Sequence, residues 1–166
     1  MVVVRFPNVS IFRIFNSRSI IIYFMTDIYN LERFIKEQQR DYPTAYAELS
    51  QGRKMSRWSW WIIPQIVGLG MTATSQMYAI KSLDEAVAFL AHPYLGKNIR
   101  EIAEVLWEIE SNDATAIMGF PDDLKLRSCM TLFAEADPNE EVFQKVLDKF
   151  FGGEKDERTL EILKRL

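Results

Sequence analysis

Residues 95 to 110 read Leu-Gly-Lys-Asn-Ile-Arg-Glu-Ile-Ala-Glu-Val-Leu-Trp-Glu-Ile-Glu, and their spacing decides the fold class. Ile99, Ile102, Leu106 and Ile109 recur every three or four residues, so they line one face of a helix while Lys97, Arg100, Glu101, Glu104 and Glu108 take the others. Working toward the N-terminus, His92-Pro93 stops a shorter helix whose buried stripe is Ala86, Phe89 and Leu90. The stretch Ser82-Leu-Asp-Glu85 opens it as a capping box, serine and glutamate satisfying each other's free amides. Further upstream, Leu31, Phe34 and Ile35 begin a helix expected to end near Tyr42-Pro43. Pro43 then suits the first turn of a second helix, with Tyr46 and Leu49 inward and Gly52 at its end.

Working toward the C-terminus, Ala114 to Met118 makes a helical turn closed by Gly119. Pro121 opens a helix through Ala136, with Asp122 and Asp123 in the first turn where the helix dipole favours negative charge. Asp137-Pro-Asn-Glu140 caps the next helix, whose inward residues are Val142, Phe143, Val146, Leu147 and Phe150 and whose end is Gly152-Gly153. Asp156 caps a last helix from Thr159. No long stretch alternates with period two. The expected class is all-α: a single compact orthogonal array of about seven or eight helices over residues 25–166, with a Trp/Pro/Gly-rich segment in its core.

That segment, Trp58-Ser-Trp-Trp-Ile-Ile-Pro-Gln-Ile-Val-Gly-Leu-Gly70, has no clean period, and Pro64 removes a backbone donor from its middle. It is expected to be irregular or only partly helical, and Thr74 to Ile80 to form a short helix. Gly68-Leu-Gly70-Met-Thr-Ala73 carries the letters of a dinucleotide fingerprint, but no strand can run through Pro64 and no strand–helix alternation follows.

Composition narrows the function classes. The chain has 20 Lys and Arg against 23 Asp and Glu, and residues 1–24 hold three of the arginines and no acid, leaving a net −6 on the remainder. A body of that sign does not attract nucleic acid or anionic lipid except through a locally basic face such as Arg53, Lys54 and Arg57. One cysteine, Cys129, forbids an internal disulfide and fits a reducing compartment, so a soluble cytoplasmic protein is expected. With one histidine besides, no zinc cluster can form. The apolar run Ile20 to Met25 is far shorter than a membrane span. Residues 1–24 are read as an upstream extension or flexible segment, with Met25 the start of the domain.

Two groups of residues could carry chemistry. Trp58, Trp60 and Trp61 could wall a nucleobase, sugar or cation, with Gln65 as a polar handle and Gly68 and Gly70 freeing backbone amides; alternatively these aromatics anchor helices. On the helix from Pro121, Asp122, Lys125, Ser128 and Thr131 recur every third residue. They offer an acid or base, a cation for phosphate and two hydroxyls, or else an i, i+3 ion pair on a solvated face. Asp123 and His92 are further candidates for proton transfer, His92 being equally suited to cap the last carbonyls of the helix that it closes.

Several of these stretches occur together in one known family. Gly52-Arg-Lys, the Trp58–Gln65 run, Gly68-Leu-Gly70, Tyr78-Ala-Ile-Lys-Ser82, His92-Pro93-Tyr-Leu-Gly96 and Gly119-Phe-Pro-Asp-Asp-Leu-Lys-Leu-Arg-Ser-Cys-Met-Thr-Leu-Phe133 stand in the order seen in the uncharacterised "domain of unknown function 1810" family, which residues 31–150 resemble. The resemblance implies an all-helical fold and no established activity or cofactor. It also implies a shared site, because the signature residues are polar or conformationally special. Where the family commonly has histidine this chain has Arg57, so catalysis through that position is not expected. The function expected is a small-molecule pocket, for a phosphate-bearing or nucleotide-like ligand, between Trp58–Gly70 and the helix from Pro121. The alternative is a protein–protein interaction module that docks a partner on its tryptophans.

Overall fold

A computed structural model describes the backbone of residues 9–16 and 19–166 and the side chains of residues 27–166. The chain divides into two units, residues 1–32 and 33–166. In the first, β1 (Val9–Asn16) pairs antiparallel with β2 (Ser19–Thr26) in a two-stranded ribbon, Val9 opposite Thr26 and Asn16 opposite Ser19. This hairpin was not expected from the sequence, which has no sustained polar–apolar alternation there to signal a strand.

The second unit is all-helical. Its elements are α1 (Glu32–Ser50), α2 (Ser59–Ile62), α3 (Ala73–Met77), α4 (Leu83–Ala91), α5 (Pro93–Glu108), α6 (Ala114–Met118), α7 (Asp122–Ala136), α8 (Glu141–Phe151) and α9 (Glu157–Arg165). The helix α7 lies at the centre, against α4, α6, α8 and α9, while α5 packs on α4 and α8. Four phenylalanines with no exposed surface run through the core from α1 to α8. Phe34 meets Phe89 edge-on at 5.2 Å, Phe89 meets Phe133 at 5.2 Å, and Phe133 meets Phe143 at 5.7 Å between centroids. Such offset and edge contacts suit the aromatic quadrupole, and each buried ring contributes roughly 1.5–3 kcal/mol of hydrophobic stabilisation.

The sequence reading breaks α1 in two, whereas α1 is continuous through Pro43. Its buried residues Phe34, Gln38, Ala45 and Leu49 are spaced by four, seven and four, so one face carries across the proline and packing outweighs the lost backbone bond. That unbroken register turns Tyr46 outward, 42% exposed, where an inward position was expected. Gly52, at φ 76°, ends the helix, donating from its amide to Leu49 O at 2.8 Å.

Other helix ends follow side-chain chemistry. Ser82 Oγ accepts from the Glu85 amide at 3.1 Å as expected. Glu85, however, reaches past Ser82 to accept from the Lys81 amide at 2.8 Å, and its other oxygen takes the guanidinium of Arg33. Asp113 and Asp156 cap α6 and α9. The ammonium of Lys149 donates to the carbonyls of Leu106, Trp107 and Ile109, so α8 supplies the cation that closes the C-terminus of α5. Among the described residues no helix is long and apolar enough to cross a membrane.

Candidate functional site

The Trp58–Gly70 segment is partly helical, as expected, and each of its aromatics is held differently. Trp58 is 1% exposed, and its indole N–H donates to Glu48 Oε2 at 2.8 Å. Burial of that order removes Trp58 as an exposed docking anchor. Trp61 is half-buried: its Nε1 donates to Asp41 at 3.0 Å and its ring meets Tyr78 edge-on at 5.1 Å. Its carbonyl accepts from Gln38, whose own amide oxygen accepts from Asn98 of α5. Trp60 receives the ammonium of Lys125 3.5 Å from its ring centroid. After Pro64 the chain forms a single parallel bridge, Ile66 with Ile80, in which the carbonyl of Gln65 accepts from Ile80 N at 2.8 Å.

Two expected partners converge. Asp122 at the start of α7 binds Lys125 through Oδ1 at 2.7 Å, and through Oδ2 it takes Lys54 at 2.7 Å and the hydroxyl of Ser59 at 2.7 Å. Burial pushes the Asp122 carboxyl up, yet the hydrogen bonds from Lys125, Lys54 and Ser59 outweigh it and hold the group below the ordinary aspartate range. Lys54 also donates to Ser56 O and lies 5.0 Å from the Trp58 ring. Asp122, Lys125, Trp60 and Trp58 therefore belong to one cluster, in which both lysines are already committed to the one carboxylate.

The rest of the expected strip is elsewhere. A three-residue step along a helix turns about 300°, so each member lags the last by about 60° and Thr131 faces opposite Asp122. Thr131, with no exposed surface, accepts from the Asp156 amide at 2.8 Å and ties α9 to α7, while Ser128 donates to Leu124 O of its own helix at 2.9 Å. Asp123 accepts from Thr115 of α6 at 2.6 Å and from the Leu124 amide at 2.9 Å. His92 Nδ1 accepts from the Tyr94 and Leu95 amides at 3.2 and 3.3 Å. Its ring caps the start of α5, while its backbone N–H donates to Ala88 O and Phe89 O at the end of α4. Gly68 has φ 97°, and a side chain at Gly70 would come 2.4 Å from Ser75 Cβ, so both glycines answer to local geometry.

A cleft of this region lies between α1 and the Ser56–Trp61 segment. It measures about 420 Å³ and is lined by Arg40, Asp41, Thr44, Ser56, Arg57, Trp58 and Trp61. Volumes of this order suit small organic ligands. Arg40, Asp41 and Thr44 share a face of α1 only because the helix is continuous across Pro43. The loop that brings Ser56 and Arg57 to them is clipped by one carboxylate: Glu48 accepts from the Met55 and Ser56 amides, the Ser56 hydroxyl and Trp58 Nε1. Burial raises the Glu48 carboxyl, but these donors prevail and bring it down to about 2. The guanidinium of Arg40 forks onto Asp41 at 2.9 and 2.8 Å, and that pairing, above all, keeps Asp41 ionised below its usual range. Among the described residues no hydrogen bond or ion pair engages the guanidinium of exposed Arg57. The lining carries two cations against one anion.

Sequence reasoning named Trp58 and Trp61 as an aromatic wall, took Arg57 only as part of a basic group, and missed Arg40, Asp41, Thr44 and Glu48. The one available signal was their i, i+1, i+4 and i+8 spacing, which is a single face only if Pro43 is read through.

Comparison with known proteins adds fold and family. A crystal structure of a conserved hypothetical protein from Mycobacterium tuberculosis superposes with a TM-score of 0.82 at 39% identity, covering 83% of this chain and 99% of that one. No functionally curated protein matches the sequence. Residues 28–163 match the model of the protein family of unknown function DUF1810, and the chain belongs to that family.

Proposed function

We propose that this protein binds a small organic oxyanion, phosphate or carboxylate on a planar body, in the cleft between α1 and the Ser56–Trp61 segment. The observation that carries this reading is a cleft of about 420 Å³, walled by indole and holding a guanidinium that the protein leaves uncommitted. A positive cleft on a chain of net charge −3 focuses anions where the rest of the surface repels them. Arg57 would take the oxyanion with the planar, bidentate geometry that guanidinium favours, Thr44 would donate a hydroxyl, and Trp61 would wall the ring of the ligand. The cluster of Lys54, Asp122, Lys125 and Trp60 braces the segment through Lys54, which donates to Ser56 O, and through the Ser59 hydroxyl on Asp122. The reading is of binding, and it assigns no reaction. A lone buried Cys129 suits a cytoplasmic setting for such a protein.

Isothermal calorimetry with nucleotides, sugar phosphates and aromatic carboxylates tests it. At least one compound is expected to bind, with affinity reduced about tenfold or more, roughly 1.4 kcal/mol, by Arg57→Ala and reduced by Thr44→Val, while Asp123→Asn leaves it unchanged. Binding of none of them, or binding that Arg57→Ala leaves intact, overturns the reading.

A further inference from the structure

A second feature stands on the loop that follows α1; it shares Arg57 with the cleft but is carried by Arg53 and Met55, which do not line that cleft. Exposure alternates along residues 51–58: Gln51, Arg53, Met55 and Arg57 face solvent, whereas Gly52, Lys54, Ser56 and Trp58 are partly or fully covered. Met55 is 79% exposed. A flexible loop would fold such a side chain back onto apolar surface, but this loop is fastened at successive amides. The Arg53 amide donates to Glu48 O at 3.0 Å, the Lys54 amide to Ile117 O at 2.7 Å, and the Met55 and Ser56 amides to Glu48 Oε2 at 2.8 and 3.0 Å. Lys54 is turned inward onto Asp122, so the basic group of the sequence reduces to two outward guanidiniums with a thioether between them. Among the described residues no acid pairs with either Arg53 or Arg57.

From this arrangement we infer that the Arg53–Met55–Arg57 edge is a docking surface for an acidic segment of a partner protein, one that presents an apolar side chain with a carboxylate two residues to either side. Same-face residues of an extended chain recur at every second position, about 6–7 Å apart, and the exposed residues of the loop also alternate, so carboxylates would meet the two guanidiniums while the apolar side chain covers Met55. Methionine adapts its shape to different apolar partners. The loop amides are already bonded, so recognition runs through side chains and not through strand addition. Charge complementarity chooses the occupant: the edge is locally basic on a net-negative molecule, and the exposed Met55 at its centre favours an acidic peptide over a nucleic acid.

The test is selection of a random dodecapeptide display library on the full-length protein, followed by fluorescence anisotropy of the enriched peptides at two salt concentrations. Enrichment of an acid-x-apolar-x-acid pattern is expected, with binding weakened at least fivefold by Arg53→Ala and by Met55→Ser and weakened again by salt. Thr44→Val, which alters only the cleft, should leave it unchanged, so failure here is separable from failure of the small-ligand reading. All three substitutions fall at exposed positions, and thermal melting checks that the fold is kept. The inference is overturned if no such pattern is enriched, if Met55→Ser binds the selected peptides as well as wild type, or if a single-stranded oligonucleotide binds the edge more tightly and ignores Met55→Ser.

Discussion

Glu48 holds four donors with one carboxylate, and its ionised state is therefore part of the native structure. An unfolded glutamate titrates near 4.3, while the folded group titrates at about 2. A depressed folded pKa contributes stability that is fully present above the unfolded value and is lost as pH falls through the folded one. Melting temperature is accordingly expected to drop between about pH 4.5 and pH 2, and Glu48→Gln should flatten that part of the profile while lowering neutral-pH stability by about 1–3 kcal/mol. Asp122 behaves in the same sense, since Asp122→Asn leaves Lys54 and Lys125 facing each other without their shared anion. That variant should be destabilised by about 1–3 kcal/mol in chemical denaturation. The Asp122–Lys125 ion pair was legible in the sequence as an i, i+3 spacing, but the share that Lys54 takes of Asp122 and the clip at Glu48 were not. Lys54 sits between two outward arginines and reads as a third exposed cation, and nothing in Glu48 itself signals the loop that folds over it.

At the scale of elements, the boundaries that sequence caught are those written in local chemistry. Ser82, Gly119, Gly152 and Asp156 each mark a helix end because the cap uses the side chain, or the φ, of that residue. Pro43 is the instructive exception. A local rule breaks the helix there, but a long-range stripe keeps it whole. Because Pro43 is exposed and withholds a donor from the preceding turn, Pro43→Ala should raise stability by about 1–3 kcal/mol, read as a higher Tm with the same circular dichroism. In the opposite direction, Lys149→Met strips the cation from the α5 carbonyls and should cost about 1–2 kcal/mol. The polar strip on α7 drifts round the helix: a period of three looks like a face over one turn and becomes a spiral over three, which parts Thr131 from Asp122.

For the second unit, the class was legible because its long helices repeat their apolar residues at the helical period, and a stretch that does so packs helix on helix. The site was only half legible. Trp58 to Trp61 announce an unusual segment, but which side of it is open depends on how α1 runs, and that is fixed by the core spine from Phe34 to Phe143. Phe89→Ala, which cuts the spine at its middle, is expected to cost about 3–5 kcal/mol and to make the cleft's ligand affinity fall with it.

The clip at Glu48 also sets how the molecule opens. Its carboxylate belongs to the last turns of α1, so the loop carrying Ser56, Arg57 and Trp58 cannot detach without breaking bonds to that helix. In native-state hydrogen exchange the Met55 and Ser56 amides should therefore behave as helix protons and not as loop protons, exchanging together with the end of α1 as one cooperative unit. In Glu48→Ala, which removes the acceptor, the two amides should decouple from the helix and exchange faster than the end of α1.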